Sequence, residues 1–328
     1  MKRFTLLLVS LLGIASLKAQ DPEFTQFYAN KLYLNPAFAG TGGGPRFSLN
    51  YRNQWPSISN AFETYSVSYD QHFDAIGGGV GVQAWHDRAG DGELTTTVVS
   101  AMYSYNLNVT RDFTIKAGLQ ASGYTRSVDF SKLRFEDQID PRRGFVRPTQ
   151  EPLPKNGTET IDPYPDFSAG FMGFTEKYYA GFSVHHITEP TQSFYNNPNN
   201  TLPRKFTGHV GMMLPLDNAA RNPESFISPN IMYQRQGKFT QVNVGGYYIH
   251  KFFVTGLWFR QTAPNSDALM ALVGLKKDPF KIGYSYDLTV SEARPAAKGS
   301  HEISLVIQLD PPDRRQVKEW RKLSCPDF

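Results

Sequence analysis

The sequence predicts an all-β fold, a transmembrane antiparallel β-barrel of about 14 strands. Apolar and polar residues alternate in segments of roughly nine to twelve residues, the length that a tilted strand needs to cross a bilayer. The segments recur about every 20 residues or less along the chain. A targeting segment precedes them, and after it no apolar run reaches roughly 18 residues, which excludes a helical membrane protein. A soluble β-sandwich also alternates, but it rarely needs so many aromatic residues at strand ends.

The chain divides into four regions. Met1–Ala19 has a charged start and a short apolar stretch, so it is predicted to be a signal peptide that is cleaved before Gln20. Residues 20–45 contain aromatic and apolar residues without alternation and are expected to form a periplasmic N-terminal segment. Residues 46–309 form the barrel, which we expect to lie in the bacterial outer membrane, and residues 310–328 form a periplasmic tail.

The strands are predicted from side-chain alternation. In His301–Leu309 the residues Ile303, Leu305, Ile307 and Leu309 share one face, which is expected to contact lipid. This last strand is expected to pair with the first and so remove the free edges of the sheet. The predicted strands, in order, are Arg46–Trp55, Glu63–Phe73, Ile76–Trp85, Leu94–Tyr105, Phe113–Gly123, Asp166–Phe174, Tyr178–His186, Lys205–Leu216, Phe226–Arg235, Phe239–His250, Phe252–Arg260, Ala268–Lys276, Phe280–Asp287 and His301–Leu309.

Connections alternate between short turns and longer loops, which is typical of outer-membrane barrels with periplasmic turns and extracellular loops. The longest predicted loops are 127–165 and 187–204. Seven aromatic residues near predicted strand ends suggest an interfacial girdle. They are Tyr103, Tyr105, Tyr178, Tyr179, Tyr247, Tyr248 and Trp258.

Enzyme motifs are missing from the sequence. No nucleophile elbow, zinc-protease motif or phosphate-binding loop occurs, so we expect no enzymatic activity and no cofactor or metal. His185 and His186 with Glu189 form the best metal candidate, but adjacent strand residues face opposite ways, which favours an ordinary strand end. His86, Asp87 and Asp91 could hold a cation, although turn chemistry explains them better.

Binding residues are predicted in two places. In the long loop, Asp137, Asp140 and Arg142 could form a recognition surface or a constriction inside the lumen. Equally, this could be a solvated loop whose charges pair internally. In the tail, Trp320, Cys325 and Phe328 predict a docked segment that closes the barrel mouth or meets a partner. Cys325 is the single cysteine of the 328-residue chain.

Several short stretches together resemble the PorP/SprF family of outer-membrane proteins from the type IX secretion and gliding systems of Bacteroidetes. They are Phe27–Gly40 with Leu-Asn-Pro-Ala-Phe-Ala-Gly, Tyr51–Pro56, His86–Gly90, Asp137–Asp140, His185–Phe194 and the terminal Cys-Pro-Asp-Phe. The resemblance implies a barrel without catalytic residues that works with periplasmic or peptidoglycan-linked components. It also implies a role in the secretion, anchoring or movement of surface adhesins.

These observations predict a scaffold that lies in the lipid bilayer. It acts by binding secretion or motility components and a secreted adhesin. The alternatives are a porin-like or hydrophobic-solute transport barrel and, less well supported, an outer-membrane enzyme. The net charge of +4 is spread along the chain without a basic run, so nucleic acid is a poor partner.

Overall fold

The computed structural model contains one closed antiparallel sheet. The structure describes residues 20–58, 62–90, 93–110, 112–140, 142–150, 154, 157–194, 200–216, 223–263, 266–290 and 299–310. The predicted signal peptide Met1–Ala19 and most of the predicted tail, residues 311–328, lie outside these ranges. No helix in the described ranges has the length and apolar character to cross a membrane.

Fourteen long strands form a closed barrel, as predicted. Each pairs with its neighbours in chain order, and three short strands complete the set. The strands are β1 Arg46–Gln54, β2 Phe62–Phe73, β3 Gly78–Ala89, β4 Leu94–Asn108, β5 Thr114–Asp129, β6 Ile139–Asp140, β7 Gly144–Phe145, β8 Thr158–Phe174, β9 Tyr178–His185, β10 Lys205–Met212, β11 Leu214–Pro215, β12 Ser225–Gln236, β13 Phe239–His250, β14 Phe253–Thr262, β15 Ser266–Lys277, β16 Phe280–Thr289 and β17 Ser300–Gln308.

The barrel closes between its first and last strands. β1 pairs with β17 in an antiparallel register that sets Leu49 opposite Leu305 and Arg52 opposite Glu302. The predicted pairing of the two end strands is therefore confirmed. On β17, Ile303 is exposed on the outer face, whereas Glu302 and Ser304 are buried on the inner face. An apolar outer face and a polar inner face are what a barrel in lipid requires.

The long loop is shorter than predicted. β5 continues to Asp129 and β8 begins at Thr158, so the connection spans 130–157 rather than 127–165. Pro163 and Pro165 suggested a loop, yet both lie within β8. They are tolerated because β8 pairs with β9 only from Ala169 onward, so its first half is an edge that requires no amide donor on that side.

Both ends of the barrel can be told apart by their connections. The turns after β2, β8, β13 and β15 lie at one end together with residue 45 and Leu309, and we call this the turn end. The connections after β1, β3, β5, β9 and β16 lie at the other end, which we call the loop end. Hairpin β6–β7 belongs to the connection after β5, with Ile139 opposite Phe145.

Residues 20–45, expected as a periplasmic N-terminal segment, lie inside the barrel. We call them the luminal segment. It contains the short helix α1 Lys31–Leu34 and a 3-10 turn at Pro36–Phe38. Most of its apolar residues, including Tyr28, Leu32 and Phe38, are almost completely buried. The segment lacks alternation because it is not a strand, and it is buried because the lumen surrounds it.

Candidate functional site

The lumen is lined by polar side chains that alternate with the lipid-facing residues of each strand. Arg52, Asp70, Lys116 and Gln120 are all buried on the inner face, as their positions in the alternation predict. Burying charges is costly unless they are paired and hydrogen-bonded. The luminal segment supplies many of the hydrogen bonds that these charges make, and its Asp21 pairs with wall cations.

Near the loop end, two carboxylates of the wall hold the luminal segment, one through backbone amides and one through a side-chain hydroxyl. Glu302 accepts hydrogen bonds from the amides of Thr25, at 2.6 Å, and Gln26, at 3.0 Å. The Thr25 hydroxyl donates to Asp287 at 2.8 Å. Arg52 Nη2 lies 2.9 Å from Asp287 Oδ2 and its Nη1 lies 3.5 Å from Glu302. Arg260 Nη2 also lies 3.2 Å from Asp287 Oδ2, so two buried arginines face the two acids that bind the segment.

Near the turn end, a second ionic cluster holds the other end of the segment. Arg46 Nε lies 2.8 Å from Asp70 Oδ1, and the second oxygen of Asp70 accepts the amide of Gly40 at 2.7 Å. The carbonyl oxygen of Ala39 accepts from Lys116 Nζ at 2.9 Å and from Ser104 at 2.7 Å. The cluster thus ties the segment to four strands.

A third ionic cluster fixes the first described residues of the segment at the loop end. His186, just beyond β9, lies 2.7 Å from Asp21 through Nε2 and 2.8 Å from Asp166 through Nδ1. Lys205 Nζ lies 3.9 Å from Asp21. Burial alone lowers the pKa of His186, but the two carboxylates outweigh burial and raise this pKa to about 9. Burial raises the pKa of Asp21, but its cationic neighbours hold this pKa well below the usual range.

Aromatic packing and close approach of the backbone secure the middle of the segment. Phe27 meets Trp258 edge-on with 4.8 Å between ring centroids, and the Tyr179 hydroxyl donates to Tyr28 at 2.7 Å. A β-carbon added at Gly79 would collide with the carbonyl of Ala39. One added at Gly118 would collide with the backbone around Ala37. Glycine at these wall positions lets the segment pack directly against the strands.

The buried aromatic residues correct the predicted girdle. Tyr103, Tyr105, Tyr178 and Tyr248 are exposed on the outer face, as an interfacial position requires. Tyr179, Tyr247 and Trp258 are instead buried in the lumen, so the girdle prediction is wrong for these three. Their positions in the alternating pattern of their strands place them on the inner face, where they contact the luminal segment.

Above the luminal segment, a cavity of about 600 Å³ opens at the loop end, and we call it the vestibule. Asp21 and Glu23 of the segment form part of its lining, with Arg52, Arg126 and Arg260 from the wall. Register irregularities in the β5–β8 and β14–β15 pairings fall at Arg126 and Arg260. Such irregularities can re-aim a side chain at the rim of a barrel. The vestibule therefore combines anionic and cationic groups beside aromatic walls.

Comparison with known protein families identifies the family of this chain. The family model described as type IX secretion system membrane protein PorP/SprF matches residues 16–307. The chain belongs to the PorP/SprF family. It is therefore an outer-membrane β-barrel component of the type IX secretion family, and membership implies interaction with components of the secretion machinery. Family and fold indicate a secretion or transport component rather than an enzyme.

Solved structures with similar barrels share little sequence with this PorP/SprF protein. The toluene transporter TbuX of Ralstonia pickettii is 10% identical, with a TM-score of 0.49 over 85% of this chain and 93% of that chain. Omp33 of Acinetobacter baumannii is 7% identical, with a TM-score of 0.45 over 82% of this chain and all (100%) of that chain. No curated protein matches the sequence significantly.

The predicted loop residues lie in the PorP/SprF barrel's longest connection, and the structure assigns the two acids structural roles. Asp137 accepts from the Thr149 hydroxyl at 2.9 Å and from the Gln150 amide at 2.7 Å. The Gln150 hydrogen bond is the main reason that the pKa of Asp137 is lowered. Asp140 accepts from the amides of Arg142 and Arg143. The side chain of Arg142 is exposed. Trp320, Cys325 and Phe328 lie outside the described residues.

The sequence-based metal candidate has another explanation in the structure. His186 has a positive φ of 58° and its imidazole lies between Asp21 and Asp166 rather than beside Glu189. No group of three potential metal ligands occurs within the described part of the chain. The role of His186 in holding the luminal segment was missed, because its partner Asp21 is 165 residues away. The inward position of Asp166 on its strand is the signal that could have suggested an internal partner, because a buried carboxylate requires one.

Proposed function

We propose that this PorP/SprF barrel is a closed scaffold that couples outer-membrane secretion or motility components to a secreted surface adhesin by binding. The observation that carries the proposal is the luminal segment, which occupies the barrel interior and is fixed to it by three buried ionic clusters. A segment held in this way supports a rigid, filled barrel, whereas an open pore requires a continuous aqueous path. The proposal includes no catalytic step.

Barrel orientation supports two binding faces. In outer-membrane barrels, short turns face the periplasm and longer loops face the exterior. The turn end, with residue 45 and Leu309, would then face periplasmic partners. The predicted tail would also lie on that side. The vestibule and the long loop would face outward toward the adhesin.

Deletion of the chain tests the scaffold. We expect loss of type IX secretion, of surface display of the adhesin, or of gliding, and recovery of the lost trait when the intact chain is restored. Unchanged secretion, display and gliding in the deletion strain would contradict the proposal. A tagged chain should also copurify with periplasmic machinery in mild detergent, and the same preparation from a strain with an unrelated tagged barrel is the control.

Transport is a second candidate, and the vestibule favours it. Its volume of about 600 Å³ and its mixed charges beside aromatic walls suit a small amphipathic solute at the loop end. Conductance in planar bilayers separates the two functions. A stable ion-conducting pore in the wild-type protein supports transport, whereas a closed barrel supports the scaffold.

A further inference from the structure

The connection after β5 carries a preformed hairpin at the loop end of the barrel. β6 Ile139–Asp140 pairs with β7 Gly144–Phe145, and the amide of Val146 donates to the carbonyl of Gln138 at 2.9 Å. The side chain of Gln138 accepts the amide of Phe135 at 2.8 Å. These internal hydrogen bonds restrict the conformations of the described residues, so binding of a partner costs less conformational entropy.

Contacts at the base of the connection hold the hairpin against the barrel. The amide of Phe130 donates to the carbonyl of Gly157 at 2.7 Å, and the ring of Phe130 meets Phe194 edge-on. Lys132 Nζ lies 2.5 Å from Glu93 in the connection between β3 and β4. The connection that carries the hairpin is therefore tied at its base to a neighbouring connection, and residues 142–146 of the hairpin are exposed.

Two acidic side chains in and beside the hairpin accept hydrogen bonds within the connection, whereas two of its arginine side chains are exposed. Asp137 and Asp140 are occupied by hydrogen bonds within the connection. The guanidinium groups of Arg142 and Arg143 are exposed, and neither makes a hydrogen bond or an ion pair with a described residue. The hairpin thus presents positive charge at its tip, where the sequence alone suggests a balance of acids and bases.

An apolar patch lies next to these arginines. Ile139 and Phe145 are directly opposite each other across the hairpin, so their side chains share one face. Their exposed fractions are 47% and 59%, and that of neighbouring Val146 is 47%. Exposed aromatic and aliphatic side chains beside arginine are typical of the groups that carry binding energy at interfaces.

We propose that strands β6 and β7, with Arg142 and Arg143, form a docking site for an acidic segment of a partner protein that also carries apolar side chains. The exposed guanidinium groups would bind carboxylates of the partner. The face formed by Ile139 and Phe145 would bind apolar side chains next to those carboxylates in the partner's sequence. This inference rests on the proposed scaffold function and names the surface and the partner chemistry on its loop end. The lipid bilayer is the weaker candidate because the hairpin lies beyond the strand ends.

Site-specific photocrosslinking in whole cells tests the docking site. A photo-reactive phenylalanine analogue replaces Phe145 in one strain and Lys238 in a control strain. Lys238 is an exposed cation in the short connection between β12 and β13, also at the loop end. We expect position 145, and not position 238, to crosslink to peptides of a partner protein that carry net negative charge and an apolar residue near the crosslinked site.

Charge reversal supplies the second arm. R142E/R143E should reduce the crosslinking yield at position 145 about tenfold, because opposite charges turn into like charges. The matched variant R235E/K238E, which makes the same charge change elsewhere at the loop end, should leave the yield unchanged. Heat-modifiable migration of both variants on gels shows whether the barrel has folded.

The results separate this inference from the scaffold proposal. Crosslinks from position 145 to lipid, to a second copy of this chain, or to peptides without net negative charge would overturn the docking site. Crosslinks that persist in R142E/R143E would do the same. Those outcomes, together with impaired secretion in the deletion strain, leave the scaffold intact. Normal secretion, display and gliding in the deletion strain would instead overturn the scaffold, whatever the crosslinks show.

Discussion

Gly79 is a residue at which the barrel wall and the backbone of the luminal segment are in close contact. An added β-carbon would overlap the carbonyl of Ala39, which Lys116 and Ser104 hold in place. We expect Gly79→Ala to destabilise the docked segment by about 1–3 kcal/mol, the usual cost of overpacking. Limited proteolysis of the segment in the detergent-solubilised protein measures the effect. Gly123→Ala is the control, because open space surrounds that position, and equal protection in the two variants would contradict the assigned contact.

Titration of His186 gives the docked segment a pH dependence. The pKa of His186 is raised to about 9 by Asp21 and Asp166, against the effect of burial. The raised pKa contributes about 3 kcal/mol to the stability of the folded protein. This contribution is fully present below about pH 6.5 and is lost as pH rises through about 9. Asp21 acts in the opposite direction. Its lowered pKa contributes above about pH 4 and is lost on further acidification.

Thermal unfolding measures this dependence. We expect the melting temperature of the wild-type protein in detergent to fall between pH 7 and pH 10. At pH 6, His186→Asn should melt at a lower temperature than the wild-type protein. Its melting temperature should fall much less than that of the wild type between pH 7 and pH 10. A parallel fall in wild type and variant would show that other groups cause it.

At the scale of single residues, the sequence could place side chains on a face but could not pair them. Alternation correctly put Arg52, Asp70 and Lys116 on the inner face. It could not show that Glu302 binds the amides of Thr25 and Gln26, because those partners are more than 270 residues apart. It also left the roles of Asp137 and Asp140 open, since turn caps and recognition residues use the same side chains.

At the scale of elements, strand β17 closes the barrel. A charge introduced among its lipid-facing side chains should cost more the nearer it lies to the centre of the bilayer. Leu305 faces outward opposite Leu49, in the middle of the β1–β17 pairing. Leu305→Arg should cost about 2–4 kcal/mol, and Leu309→Arg, beyond the strand at the turn end, about 0–1 kcal/mol. Heat-modifiable migration measures barrel assembly. Normal assembly of Leu305→Arg, or equal defects in the two variants, would contradict the depth assigned to Leu305.

Strands and the luminal segment differed in how well the sequence predicted them. Strands were predictable because lipid outside and polar groups inside impose a period of two on every crossing. The luminal segment has polar and apolar neighbours on all sides, so it has no period, and its short helix α1 is stable only within the surrounding wall. The extension of β8 was missed because prolines usually end strands, and edge pairing was not visible in the sequence.

At the scale of the whole molecule, the barrel and its luminal segment act as one body. Asp287, Glu302 and Arg52 are almost completely buried, and the segment satisfies much of their hydrogen bonding. Removal of the segment would leave polar walls that only water could solvate. The proposed scaffold function requires that the segment stays in the lumen while partners bind at the two ends.

Deletion of residues 24–40 separates scaffolding from transport. The strands and their outer faces stay unchanged, so we expect the variant to insert and to show heat-modifiable migration at a lower unfolding temperature. In planar bilayers it should conduct ions in steady, large steps, whereas the wild-type protein stays closed, because buried Tyr28, Leu32 and Phe38 no longer fill the lumen. A wild-type protein that conducts as well as the deletion variant would show that the segment does not seal the pore and would favour transport. If the scaffold proposal is correct, cells with the conducting variant should also bind less adhesin, since Asp21 and Glu23 no longer have a fixed place in the vestibule.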